Sequence, residues 1–200
     1  VTVELISAGY EVVVADNMSN CDLTCFEGVK KITGRDDIPF YEIDCCDYAS
    51  VDKLFAENQI DAVIHIAAFK AVGESVAEPI MYYRNNLLGT IVLCEAMKKY
   101  GCTKMLFSSS ATVYGPENPY PYKEDMKAIE STNPYGWTKV MIERILTDYA
   151  TAHPDFFAVL LRYFNPIGSH PSGLLGDDPE GIPNNLMPYI LKVAMGKMPH

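Results

Sequence analysis

The stretch "KMLFSSSATVYG", Lys104–Gly115, runs from a charged residue through an apolar segment into three consecutive serines. Four to five largely apolar residues without strict alternation, Lys104–Ser108, describe a strand covered on both faces. A buried strand is poorly ended by hydroxyls, because each needs a hydrogen-bond partner. A turn cap would use one serine. Three lead to the expectation that Ser108 and Ser110 face a polar ligand.

Similar runs recur on either side, at Glu11–Ala15, Pro39–Ile43, Ala62–Ala68 and Phe157–Tyr163. Between them lie amphipathic segments. In "DLTCFEGVKKITG", Leu23, Phe26, Val29 and Ile32 return every third residue before a Gly34 stop. "SVDKLFAEN" places Val51, Leu54 and Phe55 on one face behind a capping Ser50. Longer helices are predicted over 79–100, closing at Gly101, and over 134–152. The opening residues read as the end of a helix stopped by Gly9, and the closing ones as a helix from about Leu186 to Met195. Strand and helix in alternation argue for an α/β fold: a Rossmann-like, doubly wound parallel sheet wrapped by helices. From Asn165 onward the texture turns to Pro, Gly and Asn, a long loop of the kind that carries function.

Composition narrows the partners. Net charge is -10 with only 16 Lys+Arg, and no basic block exists to meet nucleic acid or an acidic membrane. No run approaches the ~20 apolar residues of a membrane span. The six cysteines form no C-x-x-C and do not cluster with the four histidines, so no metal site is expected. Scattered cysteines on apolar segments suit a reducing compartment, and the cytoplasm is the expected location.

Ligands of doubly wound sheets bind beyond the carboxyl ends of the strands. Asp16 ends the first strand, where an acid can accept both hydroxyls of an adenosine ribose or stand as a solvated loop carboxylate. Asp44 ends the next and has the same two readings, with the adenine edge as its ligand. Ala67 and Ala68 are small enough for close approach of a flat ligand, or for tight helix packing, and Lys70 follows them. In "NPYGWTK", 133–139, Asn133-Pro134 starts a helix and Tyr135 and Lys139 share a face four residues apart. A free tyrosine, with a pKa of about 10, is a poor base at neutral pH. A nearby ammonium, a bound cationic nicotinamide and the positive end of the helix would each favour the phenolate.

Taken together, Asp16, "AAFKAVGES", "SSSATVYG", "NPYGWTK", "LLRYFNPIGSHPSG" and "GIPNNLMPY" occur in the order seen in UDP-galactose 4-epimerases, and the chain resembles that family of extended short-chain dehydrogenase/reductases along essentially all 200 residues. The resemblance implies a tightly retained NAD in a Rossmann domain, here residues 1–164, and a smaller C-terminal domain closing over a UDP-hexose, beginning at 165–200. It implies Tyr135 as catalytic base, Lys139 as the residue that binds the nicotinamide ribose and tunes that base, and Ser110 as hydroxyl partner of the sugar O4. On the cofactor side it adds Asp16, Asn17, Asp44, Cys45, Ala67, Lys70, Asn85, Ser108 and Tyr163. On the substrate side it adds Lys70, Asn165, Asn185 and Leu186. A homodimer through the helices at 79–100 and 134–152 follows from it as well.

The family's activity is reversible C4 epimerisation of UDP-galactose and UDP-glucose through a 4-keto sugar. A 4,6-dehydratase needs an Asp-Glu pair after the serine, and Ala111-Thr112 cannot supply that acid and base. Epimerases of UDP-glucuronate or UDP-N-acetylhexosamines remain alternatives, as does a non-catalytic fragment. Cys45, Ala68, Phe69 and Trp137 differ from the family's usual residues. The glycine-rich loop and first strand would precede Val1, and most of the substrate domain would follow His200. A chain bounded in this way is expected to hold NAD weakly or not at all.

Overall fold

The computed structural model describes residues 1–128, 130–176 and 185–198. They divide into two compact units, Val1–Glu42 with Asn165–His200, and Ile43–Phe164.

In the first unit, helix α1 (Thr2–Ser7) precedes strand β1 (Val14–Asp16), helix α2 (Thr24–Thr33), strand β2 (Phe40–Glu42) and, after the long loop, helix α7 (Leu186–Ala194). β1 and β2 pair in parallel, Val14 opposite Phe40 and Asp16 opposite Glu42. Phe26 of α2 packs on Phe40, ring centroids 4.9 Å apart. α2 ends where expected: Gly34 takes a left-handed φ of 66° and its N–H reaches the Lys30 carbonyl. Gly28 is required by contact instead, since a Cβ there would lie 2.6 Å from the Leu174 carbonyl oxygen. Of the loop read from Asn165 onward, residues 177–184 lie outside the described residues.

The second unit holds helix α3 (Tyr48–Glu57), strand β3 (Val63–His65), helices α4 (Val72–Ala77) and α5 (Pro79–Tyr100), strand β4 (Lys104–Ser110), a 3-10 turn (Ala111–Tyr114), helix α6 (Pro134–Ala152) and strand β5 (Phe157–Tyr163). β3, β4 and β5 form a parallel sheet in chain order. α5 and α6 are the crossover helices of consecutive parallel strands and pack on each other. The core is Val51, Leu54 and Phe55 of α3, Tyr82, Val92 and Met97 of α5, Met105 and Phe107 of β4, and Ile142 and Leu146 of α6. This is the Rossmann-like α/β class that the alternation of elements predicts.

The differences from the sequence reading are local. The cap of α3 is Asp47, whose carboxylate accepts the Ala49 N–H at 3.1 Å, and Ser50 lies inside the first turn with its hydroxyl on the same carboxylate. Aspartate competes well for an N-cap because it accepts with a full charge. β3 ends at His65, so Ala67 and Ala68 lie in the loop beyond it. β4 continues to Ser110, two residues past the expected end, because all three serines pair with Leu161, Arg162 and Tyr163 of β5.

A candidate active site at the carboxyl end of β4

Three successive turns of α6 face β4. Asn133 caps the helix by accepting the Gly136 N–H at 2.8 Å, and Pro134 fills the first position, where its missing N–H costs nothing. That start places Tyr135, Lys139 and Glu143 along one face. The Ser110 hydroxyl is a hydrogen-bond partner of the Tyr135 phenol. Its oxygen also accepts the Thr112 N–H at 3.3 Å, which caps the 3-10 turn. Lys139, only 3% exposed, donates from Nζ to the Ser108 carbonyl at 2.7 Å. Its ammonium lies 4.7 Å from the centre of the Phe107 ring and 5.7 Å from that of Tyr135. Tyr163 stands opposite Ser110 in the sheet register, at the same strand end.

The electrostatics differ from the expectation in one respect. Burial raises the Tyr135 phenol above its ordinary value, and the Ser110 hydrogen bond pulls the other way without prevailing. Burial depresses Lys139 as well, to about 8, which leaves it largely protonated at neutral pH. A neutral phenol therefore stands beside a lysine whose charge burial disfavours. Further positive charge at this point would favour the phenolate.

Ser109, which the sequence reading did not place at a ligand, has a role of its own. Alternation along the strand puts it on the same sheet face as Met105 and Phe107, under α6, where its hydroxyl donates to Glu143 at 2.5 Å. One hydroxyl of the three is thus structural, one lies at the phenol, and Ser108 contributes its carbonyl.

The loop after β3 is tied to the same helix by Asn86 of α5, which sequence reasoning passed over in favour of Asn85. Asn86 accepts the Phe69 N–H at 2.9 Å, and its amide donates to the Phe69 carbonyl and the Thr138 hydroxyl, both at 3.0 Å. Tyr82 joins them: its hydroxyl accepts the Ala71 N–H and donates to Glu74 at 2.6 Å. Lys70 and Ala67 stay exposed on that loop, while Asn85 is half-buried and donates to Asn86. Asp44 accepts the Cys46 N–H in its own loop, and Cys45 lies against Gly89, whose added Cβ would meet it at 3.4 Å.

The remaining expected residues belong to the other unit. Asp16 accepts the Met18 N–H at 2.9 Å, and Asn17 accepts that of Ser19 at 3.1 Å. These turns leave Met18 at φ 54°. Asn165 is exposed, Asn185 stands at the N-cap of α7 without a side-chain capping bond, and Leu186 is exposed.

Glu143, Arg162 and Asn86 were missed because they bear no ligand-facing signature. The signal for Glu143 was present in the spacing, four residues past Lys139 on the Tyr135 face. Among the described residues no group of His, Cys, Asp and Glu could hold a metal ion, and no helix is long and apolar enough to cross a membrane.

A parallel α/β unit with polar side chains gathered at the carboxyl end of a strand is the setting in which such sheets bind dinucleotides, and the chain belongs to the NAD dependent epimerase/dehydratase family, whose model matches residues 1–199. It is 58% identical over 196 residues to the UDP-glucose 4-epimerase of Bacillus subtilis, covering 98% of this chain and 57% of the relative. The Haemophilus influenzae UDP-glucose 4-epimerase is 55% identical over the same share of this chain and 58% of its own. Among solved structures, UDP-glucose 4-epimerase from Bifidobacterium longum in complex with NAD+ and UDP superposes with a TM-score of 0.95 at 51% identity, over 98% of this chain and 58% of that one. The chain thus spans less than three-fifths of the length of the curated relatives it matches.

Proposed function

We propose that the chain acts in the reversible C4 epimerisation of UDP-galactose and UDP-glucose, a step of galactose metabolism, with NAD as its cofactor. The observation that carries this is the convergence of Tyr135, Lys139 and Ser110 at the end of β4 in a member of an NAD-dependent epimerase family. NAD+ and UDP are bound in the Bifidobacterium longum relative.

The residues present fit the nicotinamide end of such a cofactor. Lys139 is buried, and of its three N–H donors one is taken by the Ser108 carbonyl, leaving two for ribose hydroxyls. Lys70, Asn85, Ala67, Asp44 and Cys45 would serve the rest of the nucleotide within the same unit, and Asp16 and Asn17 the adenosine ribose. When bound, NAD supplies the hydride acceptor for C4 and returns the hydride to the other face of the sugar, and its positive charge adds to that of Lys139.

Tyr135 takes the proton of the sugar 4-hydroxyl as phenolate and gives it back to the 4-keto sugar's oxygen. Ser110, already oriented by the Thr112 N–H, hydrogen-bonds the same oxygen and shortens the proton's path. Lys139 holds the ribose and stabilises the phenolate. Asn165, Asn185 and Leu186 would hold the UDP-sugar, at the start of a sugar-nucleotide region over 165–200 that follows a nucleotide region over 1–164.

Two further readings accompany this one. Apolar residues exposed on α5 and α6, Ile80, Ile91 and Met141 among them, support a homodimer through these helices. All six cysteines are free thiols, which supports a cytoplasmic location.

The test is incubation of the purified chain with NAD and UDP-galactose, with sugar nucleotides separated by chromatography. UDP-glucose is the expected product. A chain that releases NAD on denaturation, and so had bound it, yet forms no UDP-glucose overturns the proposal. UDP-N-acetylgalactosamine in parallel reads the sugar preference.

A further inference from the structure

Tyr135, Lys139 and Glu143 recur every fourth residue on α6, and each meets a different serine of β4: the Ser110 hydroxyl, the Ser108 carbonyl and the Ser109 hydroxyl. Glu143 is a buried carboxylate one helical turn from Lys139. It is held by Arg162 of β5 through a fork, Nε to Oε1 at 3.0 Å and Nη2 to Oε2 at 2.8 Å. The same guanidinium donates through Nη1 to the Glu124 and Met126 carbonyls and lies 4.8 Å over the Tyr114 ring. It therefore also fastens the segment following the Ser110 turn, where Tyr114 stacks on Tyr122. A lysine could neither fork nor reach these acceptors together.

We propose, resting on the reading of Tyr135 and Lys139 as the proton-transfer pair, that Glu143 and Arg162 are positioning residues: as one internally neutralised pair they lock the register of α6 on β4 and keep a net charge from acting on Lys139. The geometry requires both parts. Without the pair Ser109 would be a buried hydroxyl lacking an acceptor, and with only one member a buried charge would stand beside the lysine.

The other groups facing Lys139 leave that balance to the pair. From β3 comes His65, hydrogen-bonded to Thr90 and held neutral by burial, at about 3. β4 offers the Ser108 carbonyl and the Phe107 ring. α6 itself offers Tyr135 and Glu143. α5 offers Tyr82 near Tyr135, its hydroxyl engaged with Glu74 of α4.

The test is a 13C NMR titration of the chain with its lysines labelled at Cε, the Lys139 signal identified by its loss in Lys139→Arg. Glu143→Gln keeps the side chain's size and its acceptor for Ser109 but leaves Arg162 uncompensated. The Lys139 midpoint should then fall by about half a pH unit or more. The double variant Glu143→Gln/Arg162→Met removes both charges and should return the midpoint toward the parent value. Mere loosening of the helix on the strand would admit water and raise the midpoint, so the sign separates charge from packing. An unchanged or raised midpoint in Glu143→Gln overturns the proposal, and that variant alone decides the matter if the double variant does not fold. The titration needs no turnover, so it can fail while the UDP-galactose assay succeeds, and the reverse.

Discussion

Gly136 stands between Tyr135 and Trp137 in the first turn of α6, and its replacement by alanine is the most discriminating perturbation of this helix start. A Cβ at this position would collide with the Ser131 Oγ, lie 2.8 Å from the Ser131 Cβ and 3.1 Å from the Thr112 Oγ1. The hydroxyl could rotate away, but the Ser131 Cβ is fixed by its own backbone, so either residue 131 or the helix must move. Alanine brings a helix-propensity gain of up to about 1 kcal/mol over glycine, less in a first turn. Overpacking of this kind costs about 1–3 kcal/mol, and it wins.

A net loss of about 1–2 kcal/mol lowers the Tm of a chain of this length by about 2–8 °C. Thermal melts followed by fluorescence of Trp137, the sole tryptophan, read it directly. The double-mutant cycle sharpens the point. Gly136→Ala in a Ser131→Gly background should cost much less, because both Ser131 atoms are gone and only the 3.1 Å contact with the Thr112 Oγ1 remains. In a Ser131→Ala background it should still cost most of its original amount, because the Cβ remains. Equal stability of Gly136→Ala and the parent, or equal rescue by the two Ser131 variants, would refute the reasoning.

Two other outcomes follow from the same side chains. Lys139 has its folded-state pKa depressed to about 8 by burial, so the unfolded chain binds more protons between there and the ordinary lysine value. Stability should accordingly rise with pH across that window, by about 3 kcal/mol in total relative to Lys139→Met, in denaturant titrations at stepped pH. No such difference in slope would show that the lysine is hydrated in solution. Tyr135→Phe should lower turnover of UDP-galactose by about 100-fold or more while NAD remains bound, since the ring stays and only the proton carrier is lost. Turnover within a few-fold of the parent would remove Tyr135 from the proton's path.

The long helices were legible to the residue. Pro79 and Gly101 bracket α5, and Asn133-Pro134 opens α6, because a missing N–H suits a first turn and a left-handed residue suits a last one. The short elements were not. α4, six residues long, carries no capping hydrogen bond and no periodicity that six residues could display. The cap of α3 went to Asp47 rather than Ser50 through a competition between two neighbouring acceptors that only the backbone geometry settles.

For the site, sequence alone determined that Tyr135 and Lys139 share a helix face and that a serine-rich strand end precedes them, since local spacing sets both. Resemblance of motifs along the chain then supplied the family. Only the tertiary structure decided what the serines do. Ser109 turns under α6 to Glu143, and Glu143 is held by Arg162 from a strand nineteen residues further along the chain. It also decided that the phenol, taken alone, is harder rather than easier to ionise, because burial acts on Tyr135 and Lys139 together. Spacing along a chain fixes direction within one element. Solvation and long-range pairing depend on what other elements bring to the same place, and no local pattern records that.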